Sequence, residues 1–444
     1  MAFHLRPKVF WYQTEFCRNL CKRREKLGIK EDVINIAKEA KADSYKMLSF
    51  SAETKNRALL IIADELNKNR TEILRQNEID VENGKKKKLS DAFIDRLALS
   101  NKRIDEMIKV LNDIIALPDP VGEITKQWTR PNGLVIAKKR MPLGVIGFIY
   151  ESRPNVSIEA SALSIKSGNA IILRGGSDAI KSNVYLAEII RKSLVKAGLP
   201  QNAVSVIVST DRESITHLVR CKQYVDVIIP RGGLNLINFI EENSLIPVIR
   251  HDQGICHTFV DEFADVDMAV KICYNAKVQR PGVCNAMETL LVHGKIATKF
   301  LPPMAEEYKK ADVELRGCRK TKVILPFIKD ATEEDWKTEY LDLILSIKVV
   351  ESIDEAVEHI NTYGSHHSDA IVTYSKENAE KFLKLVDSAA CYVNASTRFT
   401  DGNEFGLGAE MGISNQKLHV RGPLALEGLT SEKYVIYGTG QIRE

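Results

Sequence analysis

The stretch Gln279-Arg280-Pro281-Gly282-Val283-Cys284-Asn285-Ala286-Met287-Glu288-Thr289 sets one cysteine in a small-residue turn, just ahead of the apolar run Leu290-Leu291-Val292. A thiolate in such a turn attacks an activated acyl carbon when local dipoles or charge lower its pKa. Buried, inert cysteine is the commoner use of the residue type, so the turn alone leaves both readings open. Two other turns are suited to anions: Leu173-Arg174-Gly175-Gly176-Ser177 and Ile229-Pro230-Arg231-Gly232-Gly233. Glycines let a phosphate approach the backbone, a following helix offers N–H groups, and arginine adds a charge-assisted contact. Neither turn is GxGxxG, and Gly-Gly also simply punctuates loops. Near the carboxyl end, Asn394-Ala395-Ser396-Thr397-Arg398-Phe399 leads into a glycine-rich loop over residues 402–412. Ser396 and Arg398 there suit an anionic substrate, with a structural salt bridge as the equal alternative for Arg398. The pair His366-His367 reads as structural rather than as acid–base machinery.

Elements that would hold these residues follow from periodicity. From about Glu31 to Asn83 the pattern is helical, with Leu59, Ile62, Leu66 and Ile73 on one face, and Gly84 ends the run. Lys85 to Lys88 read as a solvated loop, and a further helix spans about Ser100 to Ile115. Pro131-Asn132-Gly133 makes a turn between Ile124–Trp128 and Leu134–Lys139, which predicts a β-hairpin. After Pro142, short apolar strands alternate with helices: Val145–Tyr150, Ala170–Leu173, Val204–Val208 and Val225–Ile229. A second round holds Cys256–Val260, Thr289–Val292, Ile347–Val350, Ala370–Tyr374 and Cys391–Val393. Unbroken apolar strands alternating with helices predict two doubly wound parallel α/β domains, with the break near residues 247–254.

The bulk properties exclude more than they choose. A chain of 444 residues exceeds one hydrophobic core. The net charge of +4 gives no reason to propose nucleic acid or an anionic membrane as partner. The 8 cysteines show no CxxC pair and no zinc-type spacing, so no metal is expected and a reducing, cytoplasmic compartment fits. No apolar run reaches the roughly 18 residues of a membrane span. Residues 1–30 are rich in Arg and Lys but lack serine, and are expected to form a basic extension rather than a targeting leader.

With these pieces placed, the chain resembles the gamma-glutamyl phosphate reductase family of the aldehyde dehydrogenase superfamily, over about Glu31 to Tyr437. The most specific element is the run through Val350, Ala356-Val357, His359-Ile360, Tyr363-Gly364-Ser365, His367-Ser368-Asp369 and Ile371. Tyr150-Glu151-Ser152-Arg153-Pro154-Asn155, both Arg-Gly-Gly turns, Pro281 to Ala286 and Asn394 to Phe399 support it. The resemblance implies an NADP-binding domain over 31–120 and 142–250 and a catalytic domain over 251–425. It also implies a β-hairpin oligomerisation element over 121–141 and 426–444, hence a homo-oligomer. The implied activity is NADPH-dependent reduction of L-glutamyl 5-phosphate to L-glutamate 5-semialdehyde in proline biosynthesis, with a separate glutamate 5-kinase as pathway partner.

Cys284 matches the superfamily nucleophile, Asn155 an oxyanion donor, and Glu339 the acid that holds the nicotinamide ribose. Arg174, Gly175, Gly176, Ser177, Arg231, Gly232 and Gly233 are the implied cofactor residues, with Arg174 facing the adenine ribose. Arg153, Ser396 and Arg398 are the implied substrate residues. Hydrolytic relatives carry a Glu-Leu-Gly-Gly run whose glutamate activates water. Arg250-His251-Asp252-Gln253-Gly254-Ile255-Cys256-His257 stands there instead, with Asp252 as the one acid able to substitute. The alternatives are another acylating dehydrogenase, phosphate- or coenzyme A-dependent, and a nucleotide-binding pseudoenzyme that partners glutamate kinase.

Overall fold

The computed structural model describes residues 28–151, 153–250 and 253–443. The basic segment up to residue 27 and Asp252 therefore lie outside the described residues, and so do the expectations placed on them. The chain divides into two compact units, residues 1–249 with 408–411 and 425–444, and residues 250–407 with 412–424. No described helix is long and apolar enough to cross a membrane.

The first unit opens with five helices: α1 (Ile29–Met47), α2 (Ala52–Lys68), α3 (Arg70–Lys86), α4 (Asp91–Leu97) and α5 (Asn101–Ala116). Serines 51, 90 and 100 cap α2, α4 and α5, each side chain accepting an N–H three residues on. Gly84 does not end the third helix, as the sequence pattern predicts. It lies inside α3, where a Cβ would come within 2.9 Å of Ile94 Cδ1, so it is there for packing against α4. A hairpin of β1 (Ile124–Thr129) and β2 (Val135–Pro142) follows, and the C-terminal strand Thr430–Tyr437 pairs antiparallel with β2.

Then β3 (Val145–Tyr150), α6 (Val156–Lys166), β4 (Ala170–Gly175), α7 (Ile180–Ala197), β5 (Val204–Val206), α8 (Glu213–Leu218), β6 (Val227–Arg231) and α9 (Leu234–Asn243) alternate. The sheet is parallel, in the order β5-β4-β3-β6. Strands β3 and β4 are buried at every residue, as strands covered on both faces must be. Val145, Ile149, Ile172 and Ile228 pack with Val33, Ala37 and Ala40 of α1.

The second unit runs through β7 (Cys256–Val260), α10 (Val266–Val278), β8 (Met287–His293), α11 (Gly294–Lys310), β9 (Glu314–Gly317) and α12 (Arg319–Ile324). It continues with β10 (Lys329–Asp330), β11 (Ile344–Val350), α13 (Ile353–Tyr363), β12 (Ser368–Val372), α14 (Lys376–Leu385) and β13 (Ala390–Val393). Its seven strands are all parallel, in the order β10-β9-β11-β8-β7-β12-β13. The candidate nucleophile precedes β8, and the chain toward it leaves the carboxyl end of α10.

Candidate active site

Cys284 is half-buried in the turn between α10 and β8. Its backbone is pressed against Gly254: a Cβ on Gly254 would lie 2.0 Å from the Cys284 carbonyl oxygen and 2.4 Å from its Cα. Only glycine fits there. The Gly254 N–H donates to Glu339 Oε1 at 2.9 Å, so one residue supports both the cysteine and the acid. Burial pushes the Glu339 carboxyl up, against the pull of that hydrogen bond. The thiol of Cys256 donates to the Cys284 carbonyl at 3.1 Å. Cys256 Sγ also stands 3.8 Å from Nδ1 of the buried His367, which bonds Ser368 Oγ.

Among the other described thiols, burial pushes those of Cys221, Cys256, Cys273 and Cys391 up, which makes them poor nucleophiles near neutral pH. Cys318 differs: hydrogen bonds led by Thr321 outweigh its burial and lower its pKa. It stands at the head of α12, beside Arg319 and Lys320, away from the Gly254 and Glu339 contacts that surround Cys284.

That turn is crossed by Arg398. Its Nε donates to Gln279 Oε1 at 2.9 Å and one Nη donates to Asn285 Oδ1, so the guanidinium bridges both ends of the segment that carries Cys284. Asn285 in turn donates to the Thr400 carbonyl at 2.9 Å, and Thr397 Oγ1 donates to the Asn285 carbonyl at 2.7 Å. Burial and the neighbouring charge of Arg280 push the Arg398 pKa down, while Cys284 pulls it back up. The same attraction favours the thiolate of Cys284. Ser396 is buried, and its hydroxyl accepts the Arg398 N–H at 3.3 Å, so it shapes the short turn.

In the first unit the two Arg-Gly-Gly turns turn out to be unlike. Arg174 is only 6% exposed, and its guanidinium donates to Ser214 Oγ and to the carbonyls of Gly175, Thr210 and Asp211. It ties down the loop before α8 instead of projecting toward a ligand. Gly175 makes room for Asn183 and Tyr150, which a Cβ would meet at 2.2 and 3.0 Å. Gly176 and Ser177 lead into α7, whose first N–H groups are taken by the buried Asp80, which accepts from Lys181 N and Ser182 N.

The other turn is open. A Cβ on Gly233 would meet nothing within 4 Å, and the Gly233 N–H, just ahead of α9, donates to Glu151 Oε2 at 3.0 Å. Gly232 lies against the same carboxylate, and the Arg231 guanidinium holds no hydrogen bond among the described residues. An anion already sits on this helix start, so the turn fits a phosphate group of a dinucleotide. Asn155, half-buried ahead of α6, makes no side-chain hydrogen bond among the described residues, and Arg153 is exposed.

The aldehyde dehydrogenase family model matches residues 24–338. The gamma-glutamyl phosphate reductase of Thermodesulfovibrio yellowstonii is 54% identical over 418 residues, covering 94% of this chain and all of its own length. The chain belongs to the gamma-glutamyl phosphate reductases of the aldehyde dehydrogenase family. The crystal structure of the gamma-glutamyl phosphate reductase of Thermotoga maritima, 50% identical, superposes with a TM-score of 0.92 over 93% of this chain and 100% of that one. A more distant likeness of fold is the glyceraldehyde-3-phosphate dehydrogenase of Methanocaldococcus jannaschii complexed with NADP, 18% identical with a TM-score of 0.65, covering 92% of this chain and 95% of that one. Members of the aldehyde dehydrogenase family use NAD or NADP.

Within that family frame, sequence reasoning missed Gly254, Gln279, Arg280 and Asn285 as parts of the site. Arg280 was legible as a charge four residues before Cys284. Gly254 was not, because its close approach to Cys284 arises only when β7 and β8 pair.

Proposed function

We propose that this chain reduces L-glutamyl 5-phosphate to L-glutamate 5-semialdehyde, releasing phosphate, through a thioester on Cys284. The observation that carries the reading is Gly254, whose backbone packs on the nucleophile's and whose N–H holds Glu339. Cys284 Sγ bonds to the acyl carbon as the acyl C–O bond to phosphate breaks, and the phosphate departs as an anion. Arg398 neutralises that charge, with Arg280 beside it and Arg153 as a second contact, while Ser396 holds the Arg398 turn. The Asn155 amide and the Cys284 N–H receive the developing oxyanion.

NADPH is the cofactor in this reading. Arg231, Gly232 and Gly233 take its phosphates and Glu339 its nicotinamide ribose. Arg174, Gly175, Gly176 and Ser177 form the neighbouring turn. The exposed Arg212, on the loop that Arg174 ties down, offers the charge for a 2′-phosphate. When bound, the nicotinamide supplies the hydride that reduces the thioester. Sγ then leaves as thiolate when the C–S bond breaks, and the aldehyde is released. The absence of a glutamate from residues 250–257 suits an intermediate that must survive water. A glutamate 5-kinase supplies the acyl phosphate, the sheet of β1, β2 and the C-terminal strand joins copies of the chain, and the thiol chemistry suits the cytoplasm.

The test is a coupled assay with kinase-generated glutamyl phosphate. NADPH oxidation is expected with the wild type and not with Cys284→Ser, which still binds NADPH. Near-normal turnover by that variant removes the nucleophile. A reverse reaction that needs coenzyme A rather than phosphate removes the substrate assignment.

A further inference from the structure

Lys277, near the end of α10, and Glu288, the second residue of β8, form an ion pair of 2.6 Å with side chains 0% and 1% exposed. Taking two charges out of water is costly, and well-packed apolar residues of similar volume commonly do as well for stability. Stability therefore does not account for the pair. Glu288 has a second oxygen, Oε1, which accepts the backbone N–H of Leu341 at 3.2 Å. Leu341 is a non-glycine residue at φ +55°, a left-handed conformation that a side chain disfavours and that needs holding.

We propose that Glu288 is a positioning residue, whose Oε1 locks the loop carrying Glu339 to the turn carrying Cys284, while Lys277 holds its other oxygen. The inference rests on the reading of Glu339 as the ribose acid.

Glu339, Tyr340 and Leu341 of that loop are each tied by different partners. Glu339 accepts from Gly254, which abuts Cys284. The Tyr340 ring has Lys277 Nζ 5.9 Å from its centroid and the Arg316 guanidinium 5.2 Å from it, and its hydroxyl bonds Asp335 and Ser346 at 2.7 and 2.8 Å. Leu341 is held by Glu288, and its carbonyl would lie 3.6 Å from a Cβ on Gly282, two residues before the nucleophile. Glu288 is four residues beyond Cys284 in the same chain segment. The circuit Cys284, Glu288, Leu341, Glu339, Gly254 and back to Cys284 is thus closed, with the ion pair at its far corner. Burial pushes the Glu288 carboxyl up to about 7, and Lys277 pulls against that shift; protonated or not, one Glu288 oxygen still accepts the Leu341 N–H.

Two double variants isolate the hydrogen bond to Leu341. Lys277→Met with Glu288→Gln removes both charges and keeps an acceptor, whereas Lys277→Met with Glu288→Leu removes the acceptor too. Fluorescence titration with NADPH is expected to show the Gln form within about threefold of wild type and the Leu form weakened about tenfold or more. The rate of Cys284 alkylation by iodoacetamide, read by mass spectrometry, is expected to separate the two forms in the same way, at similar melting temperatures. Equal NADPH affinity and equal alkylation rates in the two forms overturn the proposal. Hydrogen exchange on the wild type needs no variant to fold: the Leu341 amide is expected to be protected as strongly as β8, and rapid exchange there also overturns it. Glu339→Gln is the control. If it binds NADPH like wild type, the ribose reading itself fails and the inference with it; if it is weakened while the two double variants agree, only the inference fails.

Discussion

Gly233 in the first unit and Gly254 in the second stand where chemistry is expected, for opposite reasons. A Cβ on Gly233 would meet open space, and its N–H already holds a carboxylate. A Cβ on Gly254 would run into the backbone of Cys284. One glycine faces open space and the other lets two turns of the protein approach. The arginines divide in a parallel way. Arg174 is enclosed and holds up a loop of its own unit, whereas Arg398 reaches across the nucleophile's turn to Gln279 and Asn285. The first unit leaves a backbone turn open; the second interlocks its own residues around one thiol.

The contrast is broken most directly by adding a methyl to each glycine. Gly254→Ala must displace Cys284, and a shift of about 1 Å at a reacting atom costs on the order of 100-fold in rate. Steady-state kinetics are therefore expected to show kcat lowered at least that far, and a kcat within threefold of wild type would remove Gly254 as the support. Arg398→Met comes next: kcat/KM for the acyl phosphate is expected to fall about 10- to 100-fold, as for loss of a charge-assisted contact, with the KM for NADPH unchanged. An equal loss for both substrates would mean that the arginine only holds the turn.

The third expected effect is on stability in the first unit. Burial raises the Asp80 carboxyl to about 6, above its ordinary 3.8. Between those values the folded form holds a proton that the unfolded chain has released. This contribution is fullest below about 3.8 and is lost as pH rises through about 6. Asp80→Asn is expected to flatten the fall in Tm over that window by a few degrees; an unchanged slope would show that other groups cause it. The smallest effect is that of Gly233→Ala, with unchanged Tm and acyl phosphate KM and an NADPH KM raised only a few-fold. A large loss of Tm there would show that both glycines serve packing.

Much of this architecture was legible in the chain. Apolar runs separated by helical periods mark β3, β4, β7 and β8, because parallel strands buried on both faces leave no alternating pattern to confuse. Pro131-Asn132-Gly133 marks the hairpin. Gly84 misled because a glycine in a helix and a glycine after one look alike until the neighbour, here Ile94, is known. Helix α4 was too short to show a period. The roles of Arg174 and Gly254 depend on partners far along the chain, Thr210 and Asp211 for one and Cys284 and Glu339 for the other, which spacing does not reveal. Cys284 itself was recognisable only because its turn sits among other matching runs.

The central claim is that Cys284 makes a thioester that phosphate, and not water, resolves in the reverse direction. Rapid mixing of the enzyme with glutamate 5-semialdehyde and NADP, without phosphate, tests it. The account predicts a burst of about one NADPH per subunit, a mass increase on the Cys284 peptide, and turnover that resumes only when phosphate is added. Continued turnover without phosphate, or a burst with no label on Cys284, would contradict it.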